Sequence, residues 1–161
     1  MQPSNPTDLA YCFAYGIDAV GRGDFDRGVA MWEECLAEDY SFKFTFYPGG
    51  PSVECPGPDC PVQEYESLAQ LRAQFAQGNF KQEGYTATQH QMLNVELRSQ
   101  DGNEAEVFAY IQANHFLPDG VIHIFWGDYS IKCVEKVGRW RVQREEITGT
   151  SFLKFQGSQV G

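Results

Sequence analysis

Hydrophobic and polar residues alternate along most of the second half of the chain. The runs 88–97 and 104–115 alternate with a period of two, and a polar stretch at 99–103 containing Asp-Gly-Asn separates them. This pattern predicts two strands joined by a hairpin turn. Similar runs predict strands at 120–134 and 140–148, and alternating aromatic and polar residues predict another strand at 40–47.

Apolar residues at helical spacing predict three helices in the first half of the chain. Thr7 or Asp8 can cap a helix that runs to Val20, and Asp24 can cap a second helix at 25–36. Ser67 can cap a third helix that ends near Gly78. The residues expected on the inner sides are Leu9, Cys12, Phe13, Tyr15, Gly16 and Ile17, then Val29, Trp32, Glu33 and Leu36, and finally Leu68, Leu71 and Phe75.

The predicted order α-α-β-α-β-β-β-β is typical of an α+β domain. We expect three helices packed on one face of a curved antiparallel sheet, with a cavity between the two layers. The Pro- and Gly-rich segment 48–61 is predicted to be a loop. Residues 1–161 are expected to form one domain, with 152–161 as a C-terminal tail.

Composition narrows the possible partners. The 161 residues carry a formal net charge of −10 with only 12 Lys and Arg, which argues against nucleic acid and anionic membrane surfaces. No apolar run is long enough to span a membrane and the N-terminus lacks a signal-peptide core, so a cytoplasmic location is expected. Five cysteines without metal-ligand spacing predict reduced thiols and no metal site, and Cys55 and Cys60 are not expected to form a disulfide.

Two histidines lie in phase with apolar strand positions. His90 shares a strand face with Met92 and Asn94, and His115 shares one with Ile111 and other apolar residues. A histidine at the end of an apolar face is placed to act in a dry pocket, although a core histidine satisfied by the backbone would show the same pattern. His123 is a weaker candidate.

Several short motifs resemble those of the SnoaL-like branch of the nuclear transport factor 2-like superfamily, nearest to scytalone dehydratase. They are the helix junction 23–26, Glu38-Asp39 before the first strand, Thr88-Gln89-His90 with His115 further on, and the entry to the last strand at 138–142. The resemblance covers nearly the whole chain. It implies a cone-like curved sheet wrapped around three helices.

The resemblance also implies proton abstraction without a cofactor, often by a His–Asp pair inside the cone. His90 is then the candidate general base, Asp18 its partner, and His115 a second catalytic residue. Where many relatives carry the catalytic Asp this chain has Gly21, and Asp18 lies three residues earlier on the same helix face. The dehydratase's Ser and Asn fall at Gly127 and Tyr129, so scytalone itself is not the expected substrate.

The remaining candidates are residues that could line a substrate pocket. A tyrosine hydroxyl in an apolar cavity usually has a polar partner, and the apolar side chains suit a flat, largely apolar substrate. Ordinary core packing is the alternative for each of them. The candidates are Tyr15, Tyr40, Tyr129, Phe44, Met92, Ile111 and Phe125.

The sequence therefore predicts a cofactor-independent lyase acting on a small aromatic, phenolic or polycyclic compound. The alternatives are an isomerase of the ketosteroid isomerase type, a polyketide cyclase, a non-catalytic ligand-binding domain and a protein-interaction domain. The outer sheet face is also apolar, at Phe108, Tyr110, Ile122, Ile124 and Trp126. We expect self-association to cover it, as a trimer or a dimer.

Overall fold

A computed structural model describes residues 3–46, 64–76 and 84–156. A 3₁₀ helix, Pro6–Tyr11, leads directly into α1. The elements that follow are α1 (Cys12–Gly21), α2 (Phe25–Cys35), β1 (Leu36–Phe46), β2 (Glu64–Tyr65), α3 (Leu68–Ala76), β3 (Ala87–Asp101), β4 (Glu104–Phe116), β5 (Val121–Lys136) and β6 (Arg139–Gln156).

The strands form one curved sheet in the order β2-β1-β6-β5-β4-β3. The helices pack on one face of it, so the predicted α+β fold class is confirmed. One part of the prediction is wrong, because β1 and β6 pair in parallel and the sheet is therefore mixed. Along the chain, β1 and β6 are separated by β2, α3, β3, β4 and β5. Alternation within a strand does not show which distant strand it pairs with, or in which direction.

The helix ends follow local capping chemistry. Asn5 Oδ1 accepts the Asp8 backbone N–H at 3.1 Å, so Asn5 caps the first helical segment instead of the predicted Thr7 or Asp8. Asp24 caps α2 and Ser67 caps α3, as predicted. The predicted end of the third helix at Gly78 lies outside the described residues.

Two glycines allow α1 and α2 to pack closely. A Cβ at Gly16 would collide with the indole of Trp32, and one at Gly28 would lie 2.6 Å from the Gly16 carbonyl oxygen. The Trp32 indole N–H donates to the Phe13 carbonyl at 3.2 Å and so fixes the two helices together. The helix pair packs as one layer against the sheet.

Cys12 and Cys35 add a covalent link between the two helices. They are paired as a disulfide with their Cα atoms 6.2 Å apart, a separation usual for disulfides. The prediction of reduced thiols is wrong for this pair, whereas Cys133 is free and buried. Disulfides are rare in the cytosol, so the cysteines give the predicted cytoplasmic location no support. Cys55 and Cys60 lie outside the described residues.

Three strands are at least three residues longer than the sequence predicts. β1 begins at Leu36, which the sequence places in the second helix. β3 continues through the predicted polar turn to Asp101, which leaves only Gly102 and Asn103 in the turn. β6 continues to Gln156, which pairs with Val121 of β5. Residues 152–156 are therefore strand and not a tail, and residues 157–161 lie outside the described part. The β3 extension, residues 98–101, consists of polar residues, so no hydrophobic alternation marks it.

The outer face of the sheet is more exposed than the inner face. Tyr110 is 50% exposed, and Phe108 and Trp126 are half-buried. Self-association across this face stays a prediction. Among the described residues, no helix has the length and apolar character needed to cross a bilayer.

The core holds a buried carboxyl. Glu145 on β6 is 1% exposed, and its Oε2 accepts the Tyr40 hydroxyl at 2.8 Å. Burial raises the pKa of Glu145 to about 8 and outweighs the opposing effect of the Tyr40 hydrogen bond. Glu145 is therefore protonated at neutral pH, which lets an acid sit among apolar side chains.

This carboxyl makes stability depend on pH. Because the pKa of Glu145 is higher in the folded than in the unfolded chain, its contribution is full below about pH 4.5 and is lost as pH rises to about 8. Glu145→Gln removes this pH dependence of the stability. The free energy of unfolding of the wild type minus that of the variant should fall by a few kcal/mol over this range, as measured by urea denaturation. Parallel curves for the two proteins would contradict the assignment, and Glu146→Gln is the control.

Candidate active site

Asp18 joins α1 to the first residues of β3. The residue is 6% exposed and its carboxylate accepts three hydrogen bonds. Thr88 Oγ1 donates to Oδ1 at 2.9 Å, the His90 backbone N–H donates to Oδ2 at 2.9 Å, and His90 Nδ1 lies 2.7 Å from Oδ1. A carboxylate acceptor requires the proton on Nδ1, so in the neutral ring of His90 the free lone pair lies on Nε2. The predicted Asp18–His90 pair is thus present in the structure.

Gly21 explains why the carboxylate comes from Asp18. A Cβ at residue 21 would lie 2.6 Å from Thr88 Oγ1 and 3.2 Å from Thr88 Cγ2. No side chain fits between α1 and β3 at that position, and Asp18, one helical turn earlier, reaches the same strand. Gly21 and Asp18 therefore both lie where α1 contacts β3.

His115 lies next to His90 on the same sheet face. In the β3–β4 register His90 pairs with Ala113 and Thr88 pairs with His115, and the two imidazole rings lie 5.8 Å apart, edge to face. Burial, followed by the proximity of His90, lowers the pKa of His115 to about 4, so the ring is neutral near pH 7. A backbone hydrogen bond at His123 engages one ring nitrogen, and the buried Nδ1 has no partner among the described residues.

A cleft of about 590 Å³ opens on the Asp18–His90 pair from the side of α1 and α2. Side chains from α1, from the α1–α2 junction, from α2 and from β3 line it. These residues are Tyr15, Asp18, Ala19, Arg22, Asp24, Arg27, Met31, Gln89 and His90. The volume is within the range of small-molecule sites. His115 is not among the lining residues.

The other predicted substrate-binding residues divide between this cleft and the core. Tyr15, expected on the inner side of α1, is 42% exposed and lines the cleft. Phe44 is half-buried, with its ring 5.6 Å from that of Phe125. The remaining candidates are buried in the hydrophobic core and do not line the cleft: Tyr40, Met92, Ile111, Phe125 and Tyr129.

Some neighbours of the site were not predicted. The Tyr85 hydroxyl lies 3.1 Å from His123 Nδ1, and the Tyr85 ring lies 5.0 Å from that of His115. Asn94, expected on the face of His90, has a φ of 52° next to a register shift and is exposed. The cleft arginines were also missed, although the four-residue spacing from Asp18 to Arg22 is a helical-neighbour signal. Among the described residues, no group of three or more His, Cys, Asp or Glu side chains could hold a metal ion.

Replacing Asp18 with Asn tests the three hydrogen bonds. An amide has one acceptor oxygen, so at least one of the three donors loses its partner inside the protein. We expect Asp18→Asn to lower the free energy of unfolding by about 1–3 kcal/mol, measured by urea denaturation at neutral pH. Glu38→Gln, at an exposed carboxylate on β1, is the control and should change stability by less than about 0.5 kcal/mol. Equal stability of Asp18→Asn and the control would show that Asp18 does not hold β3.

Solved structures with the same fold include several proteins of aromatic and chlorinated compound chemistry. A protein assigned as an aromatic ring hydroxylase from Novosphingobium aromaticivorans is 18% identical, with a TM-score of 0.65, covering 92% of this chain and 90% of its own. A protein assigned as a scytalone dehydratase from the same organism is 15% identical, with a TM-score of 0.63 and coverage of 94% and 85%. Hexachlorocyclohexane dehydrochlorinase LinA-type3 from Novosphingobium barchaimii is 14% identical, with a TM-score of 0.65 and coverage of 96% and 90%.

These likenesses establish the fold, and no curated protein matches the chain at a significant level. The family assignment comes from the sequence match over most of its length. Because residues 7–146 match the SnoaL-like domain, this chain belongs to the SnoaL-like family.

Proposed function

We propose that the protein is a cofactor-independent lyase in which His90 removes a proton from a small aromatic, phenolic or polycyclic compound. The observation that carries the proposal is the hydrogen bond between Asp18 Oδ1 and His90 Nδ1, at 2.7 Å and almost out of contact with water. It orients the imidazole, leaves Nε2 as the base and places a negative charge beside the imidazolium that forms.

In the elimination, the Nε2 lone pair takes the proton from a C–H or phenolic O–H bond. The electron pair of that bond forms a new double bond, and a halide or hydroxide departs with its own bonding pair; the hydroxide takes the proton back from His90 and leaves as water. Loss of formaldehyde differs: Nε2 takes the proton of a hydroxymethyl O–H, the electron pair of that bond forms the C=O of formaldehyde, and the C–C bonding pair stays on the remaining fragment, which takes up the proton. A positioned base contributes roughly 10²–10⁴-fold in rate.

His115 supports this step by remaining neutral. A second imidazolium 5.8 Å from His90 would disfavour protonation of His90, and the low pKa of His115, about 4, avoids that repulsion near pH 7. Nδ1 of His115, which has no partner among the described residues, would also be satisfied by a substrate hydroxyl that extends beyond the cleft lining to reach it. Both roles are consistent with a phenolic substrate.

The structural relatives support a lyase, since they include a dehydrochlorinase and a protein assigned as a dehydratase. A non-catalytic ligand-binding domain is the second candidate. The observation in its favour is that the same fold occurs in the beta subunit of benzoate 1,2-dioxygenase from Burkholderia mallei, with a TM-score of 0.62. An isomerase or a polyketide cyclase would use the same base and differ only in the fate of the electron pair.

Replacing His90 distinguishes these candidates. A set of lignin-derived, steroid and polyketide-like phenols is screened for turnover without added cofactor, and the best substrate is then given to His90→Ala. We expect kcat to fall by roughly 10²–10⁴-fold while ligand affinity changes little.

His123→Ala is the matched control, because His123 lies at the same end of the sheet but has no contact with Asp18 among the described residues. Undiminished turnover by His90→Ala would refute His90 as the base. Ligand binding without turnover of any compound would instead favour the binding domain.

A further inference from the structure

We infer that the cleft beside Asp18 and His90 recognises a carboxylate, so that the substrate is a small aromatic acid whose carboxylate is held by Arg22 and Arg27. The inference rests on the proposed function, because it takes His90 as the group that meets the substrate. It adds the chemical class of the substrate and two residues that would select it.

The two arginines approach the cleft from its two helices. Arg22 follows Asp18 by four residues, and its backbone N–H donates to the Asp18 carbonyl at 3.2 Å, so the two side chains lie on one side of α1. Arg27 lies in the first turn of α2, and its backbone N–H donates to Asp24 Oδ1 at 3.3 Å. Arg22, Arg27 and His90 all line the cleft, so one ligand bound there can contact each of these residues.

The hydrogen bonds within the cleft leave the guanidinium groups of Arg22 and Arg27 available to a ligand. Its two acids are engaged, since Asp18 accepts three hydrogen bonds and Asp24 caps α2. In the described ranges 3–46, 64–76 and 84–156, no side chain forms a hydrogen bond or ion pair with either guanidinium. Exposed arginines are usually only solvated, but these two share a concave site with a candidate base. A carboxylate matches the planar, two-pronged donor geometry of a guanidinium.

The apolar part of such a ligand also has a place to bind. Tyr15 is 42% exposed in the cleft and stacks on Tyr11 with the ring centroids 5.7 Å apart, and Met31 faces the same space. Stacking of a ligand ring on Tyr15 would bury this exposed aromatic surface. The cleft thus combines an aromatic wall, two cations and a base, which suits an aromatic acid better than a neutral hydrocarbon.

The test compares ligands that differ in one charge. Binding of 4-hydroxybenzoate and of 4-hydroxybenzamide, its uncharged counterpart, is measured by calorimetry for the wild type and for Arg22→Gln, Arg27→Gln and the double variant. We expect each single variant to weaken 4-hydroxybenzoate binding roughly threefold to tenfold, and the double variant to weaken it more. Binding of the amide should stay within about twofold. Arg22→Lys, which keeps the charge, should recover part of the affinity.

Arg139→Gln is the control, since Arg139 is exposed at the start of β6 and does not line the cleft. Equal binding of the acid and the amide by the wild type, or equal losses in the control and the cleft variants, would overturn the inference.

Binding and turnover are both measured in His90→Ala to separate this inference from the proposed function. Arginine-dependent acid binding in a protein whose turnover does not depend on His90 would support the anion site and refute His90 as the base. A His90-dependent turnover that is equally fast for uncharged and carboxylated substrates would support the lyase and refute the anion site.

Discussion

The geometry of the site depends on one buried carboxylate. Asp18 projects from the last turns of α1 and accepts hydrogen bonds from the Thr88 hydroxyl and from both the backbone and the ring of His90. A buried carboxylate is costly unless its lone pairs are satisfied, so the three donors stabilise both the charge and the position of β3. The same contacts hold the imidazole with Nε2 directed away from its partner.

Close packing makes this interaction possible. Gly16 and Gly28 let α1 and α2 approach each other, the disulfide from Cys12 to Cys35 links them, and Gly21 lets α1 lie directly against Thr88. A Cβ at any of these glycines would lie 2.6 Å or less from an atom of a neighbouring residue, so the packing around α1 would have to change. The packing of α1 against α2 and β3 thus sets the distance between Asp18 and His90.

Residues whose role depends on local pattern could be predicted from the sequence. The strand phase of His90 and His115 and the α+β class follow from periods of 2 and 3.6 residues, whereas the pairing of Asp18 with His90 is what the family resemblance implies. Long-range geometry could not be read in this way. The parallel pairing of β1 with β6, the outward position of Tyr15 and the burial of Glu145 depend on how distant elements pack, and a period along the chain does not encode this.

The most direct test of the account is the tautomer of the neutral His90 ring, measured by ¹⁵N NMR of the imidazole nitrogens. The account predicts a protonated Nδ1 and an unprotonated Nε2. In Asp18→Asn, by contrast, the two nitrogen shifts should move towards the averaged values of a ring free to exchange tautomers. A wild-type ring protonated at Nε2, or one already averaging between the two tautomers, would contradict the claim that Asp18 prepares His90 as a base.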